Sequence, residues 1–208
     1  SIEEIARHER YRALSHIATQ HGFNKIATGH HLLDQVETML MNLIRGASLK
    51  GLSGMSPSHS FEGQRIIRPL LFSEKEEIDS FIRQHQLMYV VDYMNQDKTF
   101  TRNRIRTELI PQLKSFSPGL TKTLLHTSLI LKDENEFFDQ VTKHYAEKCL
   151  ISSDDQKKIV SVKALRLCHP ALLRRMLRFY LMPFCDHLEG IQYTHIHEIE
   201  KVLQSKTP

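Results

Sequence analysis

No apolar run of about 18 residues interrupts the 208-residue chain, so the sequence offers no transmembrane helix and no membrane partner. Cysteine is scarce: Cys149, Cys168 and Cys185 are widely spaced, and no CxxC pair occurs. That pattern argues against a zinc ribbon, a redox motif or a cysteine-held iron–sulfur cluster, and predicts reduced thiols in a cytoplasmic chain. With 8 glycines and 7 prolines, collagen-like repeats and low-complexity disorder are excluded too. Ser1-Ile2-Glu3-Glu4 carries neither the basic nor the apolar region of a signal peptide. What remains is 25% charged and 40% hydrophobic residues, the balance of a soluble folded chain of one large or two small domains.

Acidic residues are missing from one stretch. Between 156 and 185 there is none, while Lys157, Lys158, Lys163, Arg166, Arg174, Arg175 and Arg178 all fall there. A block of one sign suits a polyanion such as RNA. The plain alternative is a solvated helix face whose counter-charges lie elsewhere in space.

Periodicity predicts a helix over residues 2–21, with Ile2, Ala6, Ala13 and Ile17 on its inner face and Gly22 as its stop. A strand over 25–28 follows, then a helix over 32–45 with the stripe Leu32, Val36, Met39, Leu40, Leu43 and Ile44, closed by Gly46. Residues 46–60 read as a turn-rich loop, and Ile66-Ile67 as a brief strand. A helix over 74–85 has Ser73 as its N-cap and Ile78, Phe81 and Ile82 inward, before a strand at 89–91 and a polar loop. This alternation predicts an α/β fold with an open, mostly parallel sheet and flanking helices. Ligands bind such sheets beyond the carboxyl ends of the strands, where Gly29-His30 and Asp92-Tyr93 fall. The turn cluster at 115–119 marks a domain boundary. Beyond it, helices over 120–149, 170–180 and 194–204 and a short strand over 158–162 make a small, mainly helical domain.

Chemistry concentrates where the first strand passes into a helix, at His30, His31, Asp34 and Glu37. Asp34 and Glu37 are three apart, share a face opposite much of the apolar stripe, and lie where the helix dipole suits negative charge. Two neighbouring carboxylates call for a cation: a metal, a substrate ammonium or an arginine. His30 and Asp34, completed by His31 or Glu37, would make a metal set, and a solvated helix N-terminus is the bland alternative. Arg102, Arg104 and Arg106 open a later helix, and Arg102 and Arg106 share one face. They suit a substrate carboxylate, a nucleotide phosphate or an RNA backbone, unless Arg102 is latched to Asp92 or Asp97. Arg7 and Arg10, one turn apart, could reach a common anion or simply be exposed.

Four stretches carry a family likeness: ARHERYRAL (6–14), IATGHHLLDQVETMLMNLIRGASLKGLSGM (26–55), IIRPLL (66–71) and VDYMNQDKTFTRNRIRTELIPQL (91–113). In order and spacing they resemble the tRNA(Ile)-lysidine synthetase family, over about the first 115 residues. The remainder resembles that family's helical tRNA-binding extension more loosely. The GHxxxDQxET element is shared with other PP-loop ATP pyrophosphatases, whereas the RGxxxxGLxGM and RNxIRxxLIP elements are more specific. Met94 stands where serine is usual and Phe100 where tyrosine is common, and neither change removes a charge.

The resemblance implies that residues 1–112 are the C-terminal part of a PP-loop catalytic domain and 113–208 a helical tRNA-binding domain. It implies ATP-dependent ligation of lysine to C2 of the wobble cytidine of an isoleucine tRNA with a CAU anticodon, through an adenylated tRNA. Asp34 and Glu37 would bind the lysine ammonium, one of them then taking its proton, and His30 would be the active-site histidine, catalytic with them through a positioning role. Arg10 and Arg102 would meet the lysine carboxylate or ATP. Arg104, Arg106, Lys157, Lys158, Lys163, Arg166, Arg174, Arg175 and Arg178 would contact tRNA. ATP brings Mg²⁺, no resident metal is implied, and a homodimer is allowed.

The family's SGGxDS nucleotide loop is absent from these 208 residues, which predicts an incomplete sheet and a fragment inactive in adenylation by itself. Three rivals remain: a PP-loop tRNA thiolase, against which the lack of CxxC counts, a metallohydrolase built on His30, His31 and Asp34, and a non-catalytic tRNA-binding module.

Overall fold

The computed structural model describes residues 2–90, 101–154, 157–184 and 191–205. The expected loop around Asp92, Tyr93 and Asp97 lies outside them, as does Val91 of the expected third strand. Tyr89 and Val90 form no strand. The chain separates into two compact units, Ser1–Lys132 and Asp133–Pro208, so the first unit extends past the turn cluster at 115–119.

In the first unit, β1 (Lys25–Ala27) pairs parallel with β3 (Gln64–Ile67), setting Ile26 opposite Ile66, and β3 pairs antiparallel with β2 (Ser58–Phe61). The sheet order is β1-β3-β2 among the described residues, and only one of its two pairings is parallel. The mostly parallel sheet expected from the sequence is thus a small mixed one here. Strand β2 was hidden because Ser-His-Ser-Phe has little β-branched character. Its signal lay in the turn: Glu62 and Gly63 both take positive φ, 45° and 78°, the pair that a two-residue hairpin requires.

Helix α1 (Ile2–Gln20) covers the sheet with Tyr11, Ser15 and Ala18, not with the expected face, for Ala6, Ala13 and Ile17 are exposed. The Tyr11 ring decides this rotation. It lies 5.7 Å from the Phe61 ring and edge-on to His59, and burying an aromatic ring outweighs burying an alanine methyl.

Helix α2 (Leu32–Arg45) has the expected bounds and ends on Gly46 in the left-handed region, whose N–H donates to the Leu43 carbonyl. Leu32, Val36, Met39 and Leu40 are buried, but Leu43 and Ile44 are exposed, and Asp34, Gln35 and Glu37 are buried in their stead. The supposed loop after it contains α3 (Leu49–Leu52), held to α2 by side-chain hydrogen bonds. Gln35 Nε2 donates to the Ser53 and Met55 carbonyls, the Met55 N–H donates to Gln35 Oε1, and Asn42 Nδ2 donates to the Gly51 carbonyl. Gly54 passes so close that a Cβ there would lie 2.6 Å from Gln35 Nε2.

Helix α4 (Lys75–Gln84) is capped by Glu74, whose N–H donates to Glu77 Oε2, and not by Ser73. Ile78 and Ile82 are half-buried, while Phe81 is exposed and rests 4.3 Å from the His85 ring. After α5 (Thr101–Arg104) comes a π-helical turn (Ile105–Leu109) and then α6 (Ile110–Phe116). Ile105 and Ile110 pack with Val36 and Leu40, joined by Leu124 from the start of α7 (Leu120–Cys149).

In the second unit, a hairpin of β4 (Leu150–Ser153) and β5 (Lys158–Val160) precedes α8 (Val162–Leu165), α9 (Pro170–Leu181) and α10 (Tyr193–Gln204). Leu165, Leu173, Met176, Leu177 and Ile196 form its core with Ala146 and Cys149. The Tyr180 hydroxyl donates to the Ala146 carbonyl at 2.7 Å, and burial pushes its pKa up to about 12. No described helix is long and apolar enough to cross a membrane.

Candidate functional site

At the carboxyl end of β1 the chain crosses Thr28, Gly29 and His30 before α2 starts, as the strand-end rule leads one to expect. A cleft of about 360 Å³ opens there, lined by Arg10, Tyr11, Leu14, Thr28, Gly29, His30 and Asp34. The structure therefore brings Arg10, His30 and Asp34 together from two helices and a strand end. His30 Nδ1 lies 2.9 Å from the Thr28 hydroxyl, which fixes the ring. Burial lowers the His30 pKa, and Arg68, Arg102 and Arg10 add to this while Asp34 pulls the other way, so the ring is neutral near pH 7.

The first turn of α2 is built around Asp34. Its Oδ2 accepts from the His31 N–H at 2.9 Å while the His31 ring accepts from the Leu33 N–H, forming a reciprocal cap. Its Oδ1 accepts from Arg102 Nη2 at 3.0 Å and from Arg106 Nη2 at 3.1 Å. Glu37, with 0% side-chain exposure, accepts from Arg102 Nε at 2.7 Å and from Arg106 Nη2 at 3.0 Å on Oε2, and from Arg106 Nε on Oε1.

The cation that the two carboxylates call for is a pair of arginines, and this pairing is the physical reason the carboxylates lie inward. Arg102 is latched to Asp34 and Glu37, not to Asp92 or Asp97. Arg106, expected on the tRNA, spends its guanidinium on the same two acids. Burial works against the Arg106 charge, but the hydrogen bond to Glu37 and the charges of Glu37 and Asp34 outweigh it and raise its pKa. A π-helical turn of this kind frequently marks a functional position, and this one starts next to Arg106.

Sequence reasoning missed Arg68 and His59. Arg68 leaves the carboxyl end of β3, donates from Nη1 to the Ser56 carbonyl at 2.7 Å, and lies 3.1 Å from His59 Nδ1. Its Nε is buried without a partner in the structure. Burial lowers the His59 pKa, helped by Arg68 and Arg7. The available signal was position: Arg68 follows a strand parallel to β1 and so ends beside Thr28, whose N–H donates to the Ile67 carbonyl.

The expected tRNA contacts divide into two groups. Lys157 and Lys163 are exposed, Arg178 is half-buried, and exposed Arg104 pairs loosely with Glu108 at 3.7 Å. Lys158 lies over the Phe179 ring. The others are committed internally, where the counter-charges missing from the local sequence are supplied by distant segments. Arg174 Nε donates to both oxygens of buried Glu200, at 2.9 and 3.0 Å. Arg175 donates to Asp139 and Asn135, and Arg166 to the Leu203 and Ser205 carbonyls.

Comparison with known proteins adds to this geometry. The PP-loop domain matches residues 1–113. A tRNA(Ile)-lysidine synthase of Dehalococcoides mccartyi is 35% identical across 98% of the chain and 44% of its own length. That of Geobacter sulfurreducens is 32% identical across 100% and 44%, and that of Synechocystis 37% across 97% and 61%. The chain thus spans less than two thirds of each of these relatives. It belongs to the PP-loop domain family, and its similarity to the lysidine synthases runs from the cleft through the second unit.

Proposed function

We propose that the chain is part of a cytoplasmic tRNA(Ile)-lysidine synthase, which joins free L-lysine to C2 of the wobble cytidine of an isoleucine tRNA with a CAU anticodon. The observation that carries this reading is the similarity, along nearly the whole of this chain, to part of proteins of that name, together with the cleft that gathers Arg10, His30 and Asp34. In the first step, the cytosine C2 oxygen attacks the α-phosphorus of ATP and pyrophosphate leaves. In the second, the lysine side-chain amine attacks C2, a C–N bond forms, AMP leaves and the amine gives up a proton.

ATP is consumed and is therefore a substrate. Arg10, which has no carboxylate partner among the described residues, suits its phosphates. Mg²⁺ would enter with ATP, because Asp34 Oδ1 and both Glu37 oxygens already accept from guanidiniums and Asp34 Oδ2 accepts from the His31 N–H. Asp34 and Arg102 handle lysine, Glu37 anchors the two arginines, and neutral His30 faces the same cleft. Lys157, Lys163, Arg178 and Arg104 are the cations left for the RNA backbone, and residues 113–208 supply most of them. A parallel-sheet core completed by a glycine-rich nucleotide loop fits the PP-loop match.

The test is transfer of labelled lysine to the CAU-bearing tRNA in the presence of ATP, by the chain joined to an SGGxDS-type loop segment. Label in the tRNA, lost in Asp34→Asn, is the expected result. A folded protein that binds the tRNA and transfers no label would leave a binding module instead.

A further inference from the structure

The core of the second unit holds two thiols that the proposed reaction does not use. Cys149 ends α7 and is 4% exposed, whereas Cys168, between α8 and α9, is half-buried. Backbone hydrogen bonds bring the two residues together. The Ser161 N–H donates to the Cys149 carbonyl at 2.9 Å, which sets the start of α8 against the end of α7. Helix α8 then turns the chain back, and the Cys168 N–H donates at 3.1 Å to the carbonyl of fully buried Leu165.

The sulfurs meet inside this core. Cys168 packs against the cluster that contains Cys149, and its Sγ lies 4.0 Å from Met176 Sδ and 3.5 Å from the Ala164 carbonyl oxygen. The Cys149 and Cys168 thiols share a hydrogen bond. Burial pushes the Cys149 thiol pKa up, and the neighbouring Cys168 adds to the rise. A thiol so enclosed is slow to meet a dissolved oxidant. Cys168 reaches the surface in part and meets it first. Its enclosed neighbour is then placed to resolve the product, the arrangement of an oxidation-sensitive pair.

We propose that Cys149 and Cys168 are a modification site, a dithiol that hydrogen peroxide converts to a reversible disulfide within the chain. The Cys168 sulfur attacks one peroxide oxygen, the O–O bond breaks, and a sulfenic acid and one water result. The Cys149 sulfur attacks the sulfenic sulfur, the S–O bond breaks, and the hydroxyl leaves with the Cys149 proton as a second water. Two thiols thus give two electrons and two protons to one peroxide. A dithiol reductant returns them. The new bond closes a ring over residues 149–168, which holds the β4–β5 hairpin and α8 with exposed Lys157 and Lys163. The thiol state therefore sets how freely that cationic segment opens.

The experiment exposes the whole chain to roughly millimolar hydrogen peroxide, removes the excess with catalase and counts free thiols. The three cysteines should fall to one free thiol, and dithiothreitol should restore all three. Tryptic mapping without reductant should find peptide 149–157 joined to peptide 167–174. Deuterium uptake over residues 150–167 should slow severalfold in the linked chain. Cys185→Ser should leave the link intact, whereas Cys149→Ser should stop at a Cys168 sulfenic acid that dimedone traps. Thermal unfolding checks that variant, and the map of the unaltered chain decides the matter without it.

Three thiols left free after peroxide would overturn the proposal and make the pair ordinary core residues. A link from Cys168 to Cys185, or between two chains, would overturn it as well. So would Cys168 advancing to a sulfinic acid while Cys149 stays a thiol. A link that leaves deuterium uptake unchanged would overturn its hold on the cationic segment.

Discussion

Replacing Glu37 by glutamine removes one negative charge from a fully enclosed position and leaves the Arg102 and Arg106 guanidiniums facing one carboxylate instead of two. The amide still fills the space and one oxygen still accepts, but its NH₂ now points at a donor. Breaking a buried ion pair from one side costs about 3–5 kcal/mol. Both guanidiniums are about a third exposed and can recover some water, which brings the expected loss below that range, to about 2–3 kcal/mol. In a domain of this size each kcal/mol lowers Tm by about 2–4 °C, so thermal unfolding followed by circular dichroism should show a drop of roughly 5–10 °C. The double variant Glu37→Gln/Arg106→Gln should lose less than the sum of its single variants, with a coupling of about 1–3 kcal/mol. A Tm within 1–2 °C of the parent, or strict additivity in the cycle, would refute the view that the enclosed charges hold the first unit together.

Four further outcomes follow from the geometry. Gly54→Ala should destabilise by about 1 kcal/mol or more in chemical unfolding, because φ is +70° there and the added methyl collides with the Gln35 amide. Stability should fall as pH drops from 7 to 5.5. His30 and His59 have folded pKa values below the ordinary 6.5, so the unfolded chain takes up protons first, and the His30→Gln/His59→Gln variant should flatten that slope in urea titrations. Lys163→Ala should weaken tRNA binding and reduce the slope of log affinity against log salt by about 0.7–0.9 without moving Tm. Arg174→Ala should instead lower Tm, by removing the two guanidinium hydrogen bonds of buried Glu200, and leave the salt slope unchanged.

Where a structural determinant lay within a few residues, it could be read from the sequence. The bounds of α2 and α7 and the role of Gly46 are of this kind, since caps and periodicity are local. Residue positions at the cleft were legible too, because strand-to-helix passages recur at fixed places in α/β folds. What long-range pairing decides was not legible. Asp34 and Glu37 look like an exposed polar face until Arg102 and Arg106 arrive from more than sixty residues away. With them in place, α2 turns those acids inward and leaves Leu43 and Ile44 outside. The block at 157–178 misleads in the same way, for the acids that answer Arg174 and Arg175 sit on α10 and α7. Tyr11 fixed the roll of α1 through contacts with β2, a strand whose composition concealed it.

Asp34 and Gln35 are consecutive, yet one grips the arginines beside the cleft and the other clamps the backbone of residues 53–55. The first turn of α2 is therefore a short lever with a handle on each side. The turn that faces the cleft is thereby the same turn that fixes the chain at Met55, so the cleft wall and the α3 connection share one anchor although twenty residues of chain separate them.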